Sequence, residues 1–277
     1  MKKDSIMQSV RRNLVLILSI VIVLAGCKSS KKESAGTAGP ESAQSEKEAV
    51  ILDLTSYPLP TAPEITDMLR QAGASYILSL SNPADKVGNY LSSVEKALNL
   101  GVYGTDLSYA CTYMMKQETM KYLESSKKLI DDLEISTTFK TDYVSRVEEN
   151  LDSRDSLISI ISDSFIDTWH YLVENEQDKL ALLVVIGSYV EGIYITSQIA
   201  ITAADNTRFL EIIAHQKKSL NTLISISEPL KEDRDLTNIR EYLIDLSGVF
   251  EDVGDRLTNE QLEEIIKIID PLRESIV

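Results

Sequence analysis

The chain has 277 residues, with 28 Lys and Arg against 43 Asp and Glu, and a formal net charge of −15 at neutral pH. An acidic balance of this size repels phosphate backbones and anionic headgroups, which argues against nucleic acid as a partner and against direct adhesion to anionic lipid. With 2 His and 2 Cys in the whole chain, transition-metal ligands are scarce and cofactor chemistry is not expected.

In chain order, the first signal is one of processing. Lys2, Lys3, Arg11 and Arg12 form a basic start, an apolar run follows from Leu14 to Leu24, and then come Ala25, Gly26 and Cys27. A run of about 11 residues is too short for a bilayer that takes about 20, and the pattern is that of a secretory signal peptide. The sequence Leu24-Ala25-Gly26-Cys27 resembles the bacterial lipobox. That resemblance implies removal of residues 1–26 and acylation of Cys27 by diacylglyceryl and palmitate-type chains. The anchor then holds the protein to a membrane, since each buried methylene contributes about 0.8 kcal/mol. Lys28, not Asp, follows the cysteine, which by resemblance to proteobacterial sorting rules disfavours retention in the inner membrane. The run Lys28-Ser29-Ser30-Lys31-Lys32-Glu33 departs from the acidic export signal of some Bacteroidetes lipoproteins. An outer-membrane position facing the periplasm is expected, with surface display as the alternative.

Residues 27–49 then read as the lipidated cysteine and a flexible tether. The stretch KSSKKESAGTAGPESAQSEKEA is small, polar and without periodicity, and cannot bury enough surface to offset its ordering entropy. Its root-mean-square reach is roughly 26 Å. The remaining residues, 50–277, can bury a sizeable core unaided. Without residues 1–26 the chain carries 24 basic and 42 acidic residues, a net charge of −18.

After a short β-like candidate at 50–54 and an extended lead-in from Tyr57 to Pro63, the pattern is helical almost throughout. Asn82-Pro83-Ala84-Asp85 reads as a helix start, with Val87, Tyr90, Leu91, Val94 and Leu98 on one face and Gly101 at its end. Thr105-Asp106 reads as the cap of the next helix. Further apolar faces follow: Met120, Leu123, Ile130 and Leu133; then Tyr143, Val147 and Leu151; then Leu157, Ile161, Phe165, Trp169 and Leu172. Leu236, Ile239, Leu243, Leu246 and Phe250 recur at steps of 3, 4, 3 and 4. Thr258-Asn259-Glu260-Gln261 is a capping-box pattern opening the last helix, with Leu262, Ile265, Ile266 and Ile269 inward and Pro271 ending or kinking it. The expected fold is all-α: a single multi-helix bundle, or an irregular array of helical hairpins, of about eight to ten helices.

The longest apolar stretch of the body, residues 180–204, is long enough for a membrane span, yet it contains Glu191, which costs several kcal/mol at a bilayer centre. Ser188, Glu191, Ile195, Gln198 and Thr202 follow helical steps, so the carboxylate is expected on a polar seam of a core helix. There it either pairs with Lys, Arg, His or Tyr, or faces a ligand together with Ser188 and Gln198. Tyr103, Asp106 and Tyr109 are a second ligand-facing candidate set, with a helix–turn–helix junction as the plain alternative. Asp167 and His170, three apart, are weak metal candidates. Cys111, the cysteine left over, reads as a small buried hydrophobe. No P-loop, dinucleotide glycine motif, His-Glu-x-x-His, EF-hand loop or Gly-x-Ser-x-Gly elbow is present.

The lipobox, the polar tether, the acidic helical body and the segments Gly101–Tyr109 and Gly187–Tyr194 together resemble all-helical lipoproteins of Bacteroidetes-like bacteria, a resemblance that implies no activity. The expectation is a lipid-anchored protein that binds an envelope protein or a small ligand without catalysis. The alternatives are an enzyme or metal-binding protein using Glu191 with Asp167 and His170, and a surface-exposed adhesin or nutrient-capture accessory.

Overall fold

In the computed structural model, residues 62–135 and 143–277 are described; the expected signal peptide, Cys27, the tether and the strand candidate at 50–54 lie outside them. Among the described residues there are ten α-helices and no strand, an all-α fold as expected. They are α1 (Ala62–Gln71), α2 (Ser93–Thr112), α3 (Lys116–Asp132), α4 (Tyr143–Glu149), α5 (Arg154–Glu174), α6 (Asp178–Thr202), α7 (Thr207–His215), α8 (Lys217–Ser227), α9 (Arg234–Phe250) and α10 (Asn259–Ile276). Short 3₁₀ turns at Leu78–Leu80 and Ala84–Asn89 lead into α2.

The core is organised around α2 and α6. Helix α6 has apolar residues all round with one narrow polar stripe, and a helix of that kind must be enclosed. It is long and apolar enough to cross a membrane, but 83% of its most apolar window is buried inside the protein. Helices α1, α5, α7 and α10 also pack on α6, while α3 packs on α2 and α9 on α10.

Two glycines set how closely the central pair approaches. A Cβ on Gly101 would lie 2.0 Å from the Val184 carbonyl oxygen and 2.6 Å from the Ser188 nitrogen. A Cβ on Gly187 would lie 2.0 Å from the Leu98 carbonyl oxygen. Each helix therefore presents a bare backbone to the other. This corrects the expected helix end at Gly101 and the expected cap at Thr105-Asp106: all three residues are buried in the interior of α2.

The true start of α2 is Ser92, whose hydroxyl accepts from the Glu95 N–H at 3.1 Å while Glu95 accepts from the Ser92 N–H at 2.8 Å. The expected continuous helix from Asn82 through Leu98 is interrupted at Tyr90, which turns into the core, and Leu91 is 80% exposed. Pro63 stands in the first turn of α1, where a missing N–H costs nothing, so Ala62 and Pro63 are helical and not extended as expected; the rest of the expected lead-in lies outside the described residues.

Periodicity predicted the later helices well. All five apolar positions of α9 are buried, and Thr258 and Gln261 form the expected capping box. Pro271 does not end α10, which continues to Ile276. Helices α2, α3 and α5 close in one way: Met114, Glu134 and Glu176 take φ near +60° (57°, 60° and 58°), and the following N–H groups bond back to Ala110, Ile130 and Leu172. These are Schellman closures made without glycine.

Candidate functional site

The polar stripe of α6 faces α2 and α10, and each expected member can be placed. Ser188 meets Thr105 of α2, with 2.9 Å between their hydroxyl oxygens. Glu191 is fully buried and clamped by Arg273 of α10, whose Nε and terminal nitrogen donate to its two oxygens at 2.6 and 2.8 Å. Gln198 donates to Asp270 of α10 at 3.1 Å. Thr202 is exposed and bonds back to its own helix. The pairs Glu191–Arg273 and Gln198–Asp270 run in opposite chain directions, so α6 and α10 are antiparallel.

Arg273 does more than pair. Its second terminal contact donates to the Leu80 carbonyl at 3.1 Å, and its guanidinium lies 4.0 Å from the Tyr194 ring centroid. A planar fork with several donors can bind a carboxylate, a carbonyl and an aromatic face at once. Burial alone would lower the Arg273 pKa, but the bonded Glu191 carboxylate outweighs it and raises it. Burial raises the pKa of Glu191, and the Arg273 hydrogen bonds and charge oppose that rise.

Asp106 stands beside this pair and is also fully buried. One carboxyl oxygen accepts from the Asn82 N–H at 3.1 Å, and the other has no partner. Burial first, and the Glu191 charge second, push its pKa well above the ordinary carboxylate range. Asn82 donates through its side chain to the Tyr90 hydroxyl at 2.8 Å, and Asn99 donates to the Ile276 carbonyl at 2.7 Å. The end of α10 and the 77–82 segment are thus both tied to α2 by polar side chains.

The expected groove set behaves differently. Tyr103 and Tyr109 are fully buried. The Tyr103 hydroxyl donates to the Pro83 carbonyl at 2.9 Å, and Tyr109 accepts from the Ile77 N–H at 2.9 Å. Burial raises Tyr109 to about 12, so it stays neutral. Their rings join Tyr76, Tyr90, Tyr113 and Tyr122 in tilted and edge-on contacts 4.6 to 6.2 Å apart. These two tyrosines staple the loop to α2 and line no open groove.

Asp167 and His170 lie on α5, exposed and half-buried respectively. Among the described residues no group of three or more His, Cys, Asp and Glu side chains is arranged to hold a metal ion. The acid that the metal or enzyme alternative borrowed, Glu191, is taken by Arg273.

Sequence reasoning missed Arg273, Asn82 and Asn99. Arg273 was hidden by the expectation that Pro271 can end the last helix; Asn82 was read only as a cap.

Cys111 is fully buried, its sulfur 3.5 Å from the Thr119 hydroxyl, and burial raises its thiol to about 12. A low thiolate population and no access make it inert. A maleimide reagent is therefore expected to leave Cys111 unlabelled in the native protein at neutral pH and to label it once the protein is denatured. Rapid labelling of Cys111 in the native state would contradict its burial.

No protein-family model matches the chain, and comparison with curated proteins and with solved structures returns no match.

Proposed function

We propose that this is a lipid-anchored helical protein of the bacterial cell envelope, facing the periplasm, which binds a partner protein or a small ligand and is not a catalyst. The observation that carries the reading is the fate of α6. Its apolar length and its buried carboxylate, Glu191, are used inside the helical body, which supports an anchor supplied instead by the basic start, the apolar run and Cys27. The metal or enzyme alternative loses its acid, because Glu191 is neutralised by Arg273. The acidic surface is a bias towards cationic partners and away from nucleic acid.

Mass spectrometry of the protein purified in detergent from its native host tests this. The expected mass begins at Cys27 and carries acyl chains, with any bound small molecule released on denaturation. A chain that begins at Met1 with an unmodified Cys27 would overturn the anchor.

A further inference from the structure

We propose that Asp106 and Glu191 share a single proton, held on Asp106, and that the pair forms a pH-sensitive latch fixing α10 and the 77–82 segment to the α2–α6 core. The charge count motivates it. Among the described residues two carboxyl groups, Asp106 and Glu191, are fully buried, and the guanidinium of Arg273, with its side chain 11% exposed, bonds Glu191 alone of the two. A second uncompensated negative charge in such a place is strongly unfavourable, so the group takes up a proton instead.

The hydrogen bonds say which group holds it. Both Glu191 oxygens accept from Arg273, as an ionised carboxylate does. Asp106 spends one oxygen on the Asn82 N–H, while the other has no hydrogen-bond partner; Glu191 and the Ser81 hydroxyl are the polar groups beside it. A proton on that free oxygen can be donated to Glu191, and both acids are then satisfied. The arrangement matches two acids sharing one site, of which one stays neutral.

Among the described residues the surroundings supply no other charge of the right sign. Tyr103 and Tyr109 face Asp106 from α2, Tyr122 from α3, Tyr76 and Ser81 from the preceding segment, Glu191 from α6 and Arg273 from α10. Burial raises the pKa of each of these tyrosines, so they stay neutral. Glu118, farther out near Tyr76 and Tyr122, adds only negative charge.

Asp106 therefore binds its proton more tightly folded than unfolded. Its share of stability is complete below the unfolded value of about 3.9 and is lost as pH rises through the raised folded value. Ionisation places a second charge beside Glu191, competes for Arg273 and weakens its bond to the Leu80 carbonyl. The latch loosens as pH rises through that value.

Isotope-edited infrared spectroscopy of the full chain in detergent tests the assignment without a substitution. At pH 7 a protonated carboxyl band is expected that shifts with ¹³C-aspartate labelling and not with ¹³C-glutamate labelling. Absence of the band, as when a bound cation balances the charge, or a shift with the glutamate label, would overturn the proposal. Asp106→Asn is expected to remove the band and to flatten the fall of stability with rising pH, while Asp167→Asn at an exposed acid of α5 leaves both in place. A band that survives in folded Asp106→Asn would also overturn it. If that variant does not fold, the labelled wild-type spectra decide alone.

Discussion

Arg273→Ala is expected to destabilise the protein by about 3–5 kcal/mol, the range for breaking a buried ion pair from one side. The cost is not the worth of the pair but the charge left behind. Glu191 would lose both of its charge-assisted donors, the Leu80 carbonyl would lose its own, and Asp106 would face an unneutralised neighbour. The variant can recover part of the loss by protonating Glu191. Its deficit is therefore expected to be smaller at pH 5 than at pH 8, because a raised carboxyl pKa favours the protonated folded state at the lower pH. Urea unfolding of wild type, Arg273→Ala, Glu191→Ala and the double variant measures this. The double variant is expected to lose less than the sum of the singles, with a coupling of 0.5–3 kcal/mol in magnitude, roughly what touching groups show. Additive losses would mean that the two side chains act independently.

Gly187→Ala is expected to cost about 3 kcal/mol or more, at or above the upper end for overpacking a core. The added methyl would stand 2.0 Å from a backbone oxygen of α2, and backbone cannot swing aside as a side chain can. Gly101→Ala meets α6 in the same way and is expected to lose a similar amount. Gly104→Ala is the matched control, since a Cβ there has nothing within 4 Å. In a helix interior that change should stabilise by roughly 0.5–1 kcal/mol, because alanine loses less backbone freedom than glycine. Thermal unfolding of the three variants separates helix approach from helix propensity. A Gly187→Ala protein as stable as wild type would show that α2 and α6 do not pack this closely.

These glycines also show where the sequence could be read and where it could not. Local chemistry was enough for α9, whose apolar steps of 3 and 4 need no partner to be recognised, and for the capping box at Thr258. It was enough to put Ser188, Glu191 and Gln198 on one face of α6. It was not enough for Gly101. A glycine that ends a helix and one that admits a neighbouring backbone look the same in sequence, and only the position of α6 distinguishes them. Asp106 was misread for the related reason that acids favour helix starts, whereas here an acid is buried mid-helix with its charge managed by residues from elsewhere. Arg273 is 82 residues from Glu191, and no periodic pattern links positions so distant. The polar seam was legible as a stripe; what sits opposite it was set by tertiary structure.

The central claim is that the apolar helix Asp178–Thr202 belongs to a helical body and that the membrane role belongs to Cys27. Limited trypsin treatment of membranes opened to expose the periplasmic face tests it most directly, because Lys28, Lys31, Lys32 and Lys47 lie between the proposed anchor and the body. Peptides covering residues 178–202 are expected in the aqueous supernatant after cleavage there, without detergent. If they stay in the membrane pellet through an alkaline carbonate wash while the chain is cut upstream of residue 50, the helix itself holds the membrane and the account is wrong.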